Sequence, residues 1–119
     1  MKKTLLFMLC LGMLNSYAQE RYYDKVFTDL TITQDVKYAE NYTVITGAPV
    51  LEDLLMDVYE PANDTASQRP LIILMHAGSF LPKGLNTLPF GNKHDSSLVE
   101  MCKQFAQRGY VAAAVNYRL

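Results

Sequence analysis

Tryptophan is absent from this 119-residue chain, and cysteine occurs only twice, as Cys10 and Cys102. Charge is sparse and balanced: 19% of residues are charged and the net charge is −1. That excludes a basic nucleic-acid face and an acidic, self-repelling tail. There is no internal repeat and no Gly- or Pro-dominated low-complexity tract, which excludes collagen-like and linker-like classes. No serine lies between glycines two residues before and two residues after it. What is present is a hydrophobic half of the composition, enough for a globular core in a chain of this length.

Residues 1–18 read as a cleavable secretory leader. Lys2 and Lys3 form a positive start, residues 4–14 an apolar stretch, and Ser16-Tyr17-Ala18 a small-x-small cleavage site. The stretch is too short to cross a bilayer, and Leu9 is too bulky for lipoprotein processing at Cys10. The alternative is an ordinary N-terminal helix. Cleavage after Ala18 implies a secreted or periplasmic protein comprising residues 19–119, with no membrane span. Removing Lys2 and Lys3 from eleven basic residues leaves nine against twelve acidic ones, a net charge of −3. It also leaves Cys102 alone, so no intramolecular disulfide can form.

Along the mature chain, residues 19–25 read as a loosely fixed terminus. Residues 26–36 are rich in β-branched side chains and predict a surface strand. Residues 38–46 predict a second strand or half of a hairpin, closed by the turn signal Gly47-Ala48-Pro49. Residues 51–59 alternate Leu54, Met56 and Val58 against Leu55, Asp57 and Tyr59, a strand with one face more buried, stopped by Pro61. A small, polar loop follows to Arg69.

After Pro70 comes an unbroken apolar run, Leu71-Ile72-Ile73-Leu74-Met75. Five residues are too few for a helix, and the run fits a strand buried on both faces of a mostly parallel sheet. Residues 81–95 hold two prolines, two glycines and no periodicity, which marks a functional loop or disorder. Ser97 and Glu100 have the spacing of a capping box. Leu98, Met101, Cys102, Phe105 and Ala106 then form one helical stripe, Gly109 is a natural C-terminal stop, and residues 110–115 are a further strand. Strand, loop, helix, strand implies a parallel crossover, in which ligands bind beyond the carboxyl ends of the strands.

His76-Ala77-Gly78-Ser79-Phe80, at such an end, resembles the His-Gly-Gly-Gly-Phe oxyanion-hole loop of α/β-hydrolase esterases and lipases. Leu55-Met56-Asp57-Val58-Tyr59-Glu60-Pro61 and Val115-Asn116-Tyr117-Arg118-Leu119 resemble the second and fourth strands of the same esterases. The resemblance covers residues 54–119. It implies an α/β fold: antiparallel first strands, then a parallel strand-helix-strand unit. It further implies a secreted serine hydrolase acting on small-molecule or polysaccharide-linked carboxylic esters, without cofactor. A peptidase of this fold, or a non-catalytic binding module built on it, remains an alternative.

In the resemblance, Gly78 and Ser79 supply backbone N–H donors to the oxyanion, and His76 orients the loop. Phe80 and Phe90 would line a substrate pocket or pack on their own scaffold. Asn116, Tyr117 and Arg118 resemble an anchor beneath the site. His76, His94 and Asp95 as a metal site lack ligand spacing, so no metal is expected. The nucleophile, acid and base of a triad lie outside this sequence, so the chain reads as the N-terminal portion of an α/β-hydrolase domain, inactive alone. Its Leu71–Met75 strand would then be an exposed edge, prone to aggregation.

Overall fold

A computed structural model describes residues 21–43, 47–78 and 91–118. Strands β1 (Leu30–Thr43), β2 (Val50–Pro61), β3 (Leu71–Met75) and β4 (Val111–Val115) and helix α1 (Ser96–Gln107) make up the described regular structure. The sheet order is β1-β2-β4-β3, with β1 and β2 antiparallel, β2 and β4 antiparallel, and β3 and β4 parallel. This is a mixed sheet with one helix, the α/β class that the sequence indicates.

Within the described residues the two strands expected over 26–36 and 38–46 are one, which starts only at Leu30; residues 44–46 lie outside the described residues. β1 runs without a break past two register shifts, one between Thr33 and Val36 and one between Lys37 and Ala39. At the first, Asp35 takes φ +57°, a conformation that aspartate tolerates better than most side chains. Such bulges interrupt the two-residue alternation from which strands are read, so one bent strand looks like two.

The β3 run is not buried on both faces. Leu71, Ile73 and Met75 are 59%, 59% and 66% exposed, while Ile72 and Leu74 are half-buried. The reason is coverage. Among the described residues a single helix packs on the sheet, on the side of Tyr59, Ala112, Ala114 and Leu74. Among the described residues β3 has one strand neighbour, β4.

α1 buries Leu98, Cys102 and Ala106 against Ala112 and Ala114. Consecutive alanines on β4 leave room for the helix to approach closely, which bulkier strand residues would prevent. Met101, expected on the stripe, is 44% exposed and lies at its margin. The expected capping box does not form. The helix begins at Ser96 with Asp95 in the cap position and no side-chain cap bond. Asp95 instead turns its carboxylate back to the N–H groups of Gly91 (2.9 Å) and Asn92 (3.4 Å). Glu100 accepts from Gln104.

At the other end the stop is as expected. Gly109 at φ +96° donates to Ala106 O and Tyr110 N–H to Phe105 O, a Schellman pair. The Phe105 and Tyr110 rings meet edge-on, 5.7 Å apart. The remaining helix-end carbonyls are bound by residues 21–27. Tyr22 N–H donates to Arg108 O, and the N–H groups of Val26 and Phe27 both reach Gln107 O. Arg21 forms a two-pronged pair with Asp64, at 3.0 and 2.6 Å. From Arg21 onward the segment expected to be loose is tied down at both its backbone and its side chains.

Candidate functional site

The carboxyl end of β3 runs into His76, Ala77 and Gly78. His76 is buried, with its ring lying flat on Tyr117, centroids 4.3 Å apart and planes 13° from parallel. The Tyr117 hydroxyl donates to His76 O at 3.1 Å. His76 Nδ1 lies 2.8 Å from Ala77 O. A carbonyl oxygen only accepts, so Nδ1 is the donor of this bond.

That bond also orients the next peptide. No described peptide is cis, and in a trans peptide the N–H points opposite to the carbonyl. With Ala77 O turned toward the His76 ring, Gly78 N–H faces the other way. Gly78 is buried at φ +143°, a region that suits glycine. Among the described residues its N–H has no acceptor. Ser79, Phe80 and Phe90 lie outside the described residues.

A second cluster adjoins the first through β4. Asp57, on the helix-covered face of β2, has no exposed surface, and Lys93 retains 2%. Lys93 Nζ sits 2.5 Å from Asp57 Oδ1 and 2.9 Å from Asp35 Oδ1. The first bulge of β1 contributes twice here, since Asp35 N–H also donates to Asp57 Oδ1 at 2.9 Å. Burial alone would push the ammonium toward neutrality. The two carboxylates outweigh it and hold Lys93 above its ordinary value. Lys93, in turn, holds Asp35 below the usual carboxylate range. Asp57 Oδ2 has no hydrogen-bond partner among the described residues; His94 Nδ1 is 3.6 Å away.

Asn116 joins the two clusters. Its Oδ1 accepts from Lys93 N–H at 2.7 Å. Its own N–H donates to Leu55 O, and its carbonyl accepts from the Tyr38 hydroxyl at 2.5 Å. Tyr38 falls at the second register shift of β1, so both bulges aim a side chain at this region, a recurrent use of bulges. Cys102 lies under the cluster on α1, where burial first and the Asp57 carboxylate second push its thiol up to about 11. It is a core thiol, protonated at neutral pH.

His76 and Gly78 thus lie at the end of β3, whereas His94 faces Asp57 and Asp95 binds the turn at Gly91. Among the described residues no group of three His, Cys, Asp or Glu side chains could hold a metal ion. Sequence reasoning overlooked Asp57 and Lys93. A lone carboxylate inside an apolar strand was the available signal for the first, whereas a lysine in a polar turn gives none.

No protein-family model and no curated protein matches this sequence. Among solved structures, the fold is similar to a crystal structure of esterase B from Lactobacillus rhamnosis inhibited by a C4-C4 tributyrin phosphonate. The identity is 20% and the TM-score 0.48, over 100% of this chain and 34% of that one. This chain therefore spans about a third of that protein's length.

Proposed function

We propose that this chain is the N-terminal portion of a secreted α/β-hydrolase domain. It contributes the oxyanion turn of a serine hydrolase that cleaves carboxylic esters. In such a reaction a serine hydroxyl adds to the ester carbonyl, and the negative charge that develops on its oxygen must be met by fixed donors. The Gly78 and Ser79 N–H groups are the donors this chain would supply; collapse of the intermediate breaks the ester C–O bond and expels the alcohol with the serine's proton, and water then hydrolyses the acyl-enzyme to the acid and the free serine. Short acyl esters or esters attached to plant polysaccharide are the substrate class, and a peptidase of the same fold is the nearest variant.

One observation carries this reading. Gly78 N–H is a buried donor with no acceptor among the described residues, held at the carboxyl end of a parallel strand by a locked histidine. An orphaned buried N–H costs about 1–3 kcal/mol and is rarely kept without use. Backbone donors of this kind typically contribute about 10²–10³ in rate each.

The decisive measurement is fluorophosphonate labelling of the full-length protein, read with the codons that follow Leu119. The expected result is covalent label on a serine within a Gly-x-Ser-x-Gly turn. An intact fold that takes no label and lacks that serine overturns the hydrolase. It would favour the second reading, a binding module of the same fold.

A further inference from the structure

We propose that Tyr117 is a positioning residue for the oxyanion turn, and that Asn116 and Tyr117 form one anchor for both flanks of residues 79–90. This inference rests on the hydrolase reading for its catalytic consequence, but its structural half stands apart from it.

The anchor is first of all fixed to the sheet. Asn116 follows β4 directly, and its N–H and carbonyl are both taken, by Leu55 O on β2 and by the Tyr38 hydroxyl on β1. A residue so held at both backbone groups leaves little play for the next one. Tyr117 therefore presents its ring and hydroxyl from a fixed point.

The N-terminal flank depends on that point. Tyr117 stacks on the His76 ring and donates to the His76 carbonyl, 3.1 Å away. His76 Nδ1–H then binds Ala77 O. That bond sets the plane of the Ala77–Gly78 peptide and with it the direction of Gly78 N–H. The order of control is Tyr117, His76, Ala77 carbonyl, Gly78 amide. No side chain is needed at Gly78 itself, which its positive φ would penalise.

The C-terminal flank reaches the same anchor. Lys93 N–H donates to Asn116 Oδ1, and its ammonium is pinned between Asp57 and Asp35. Asp95 binds the N–H groups of Gly91 and Asn92. Residues 76 and 93 thus both register on one dipeptide.

The test uses the full-length protein with three variants, Tyr117→Leu, Tyr117→Phe and Asn116→Ala. Hydrolysis of a short p-nitrophenyl ester and hydrogen exchange of the Gly78 amide are followed in each. Misplacing an oxyanion donor removes an interaction that matters only in the transition state. Tyr117→Leu should therefore lower kcat by about 10²-fold, with KM nearly unchanged. Tyr117→Phe keeps the stack and loses the hydrogen bond to His76 O, so it should retain activity to within about tenfold and serve as the folded control. Both Tyr117→Leu and Asn116→Ala should speed exchange at Gly78, and Asn116→Ala should also speed it at Lys93.

If wild-type labels with fluorophosphonate but Tyr117→Leu keeps wild-type kcat and Gly78 exchange, the positioning role is overturned and the hydrolase stands. Should wild-type take no label, the hydrolase fails. Faster Gly78 exchange in Tyr117→Leu would then still support the anchor, and unchanged exchange would overturn it too. If Tyr117→Leu does not fold, Asn116→Ala decides: exchange unchanged at both Gly78 and Lys93 overturns the shared anchor.

Discussion

At the scale of single residues, the Asp57–Lys93 pair is the most consequential contact that no motif announces. Two opposite charges with 0% and 2% exposed surface have given up hydration, and their attraction only roughly repays that loss. The pair therefore adds little net stability over a well-packed apolar pair, yet breaking it is costly. Lys93→Met should lower unfolding free energy by about 3–5 kcal/mol, because it removes the cation that compensates a carboxyl group with no exposed surface. Lys93→Met combined with Asp57→Asn should recover most of that loss. The asparagine carbonyl can still accept from Asp35 N–H, and no buried charge is left behind. Urea midpoints of the two variants check this; a single variant no worse than the double would show that the pair is not buried as described. The same contrast explains what could be read beforehand. Cys102 was legible because its place on a helical stripe fixes its burial. Lys93 was not, since an isolated lysine among polar neighbours is ordinarily solvated and only its tertiary partners make it otherwise.

At the scale of elements, boundaries followed from local chemistry where that chemistry was not diverted. Gly109 ends α1 as expected because only a residue tolerant of φ +96° completes the Schellman pair. Gly109→Ala should cost about 1–2 kcal/mol from the left-handed backbone alone. A Cβ there would also meet Arg21 Nε at 3.0 Å and Cγ at 3.2 Å. Arg21 cannot move aside freely, since Asp64 holds its guanidinium. A thermal midpoint unchanged in Gly109→Ala would mean that Gly109 does not hold the left-handed backbone of the helix stop. The start of α1 was misread for a complementary reason. Ser97 and Glu100 have the right spacing, but Asp95 takes the cap position and spends its side chain on the preceding turn. β1 shows the limit of periodicity: two bulges at Asp35 and Tyr38 reset the alternation, and those bulged residues are the ones that reach Lys93 and Asn116. The features that hid the strand from the sequence are those that build the candidate site.

At the scale of the whole molecule, the sheet has two unequal faces. Register places Asp57, Tyr59, Ala112, Ala114, Ile72 and Leu74 under the helix, and Met56, Val58, Ala113, Val115, Leu71, Ile73 and Met75 on the opposite side. Every member of the second group is apolar and no described helix covers it; Ala113 and Val115 are nonetheless buried, and the exposed members are Leu71, Ile73 and Met75 on β3. This explains why the β3 run reads from its sequence as doubly buried: its composition suits a two-sided environment that the described residues provide on one side only. Apolar surface next to an edge strand invites pairing between copies. Ile73 sits at the middle of that edge, 59% exposed and opposite the helix, so Ile73→Lys removes no contact with the helix-covered core. Residues 19–119 carrying Ile73→Lys should give more soluble monomer by light scattering, with no fall in thermal midpoint. In a full-length hydrolase whose later strands and helices cover this face, the same lysine would be buried without a partner and should destabilise the fold by several kcal/mol. The sign of one substitution therefore distinguishes the two situations. A gain in solubility for both lengths would mean the face stays open in the full-length protein, and with it the proposal that this chain forms the first part of a larger sheet would fall.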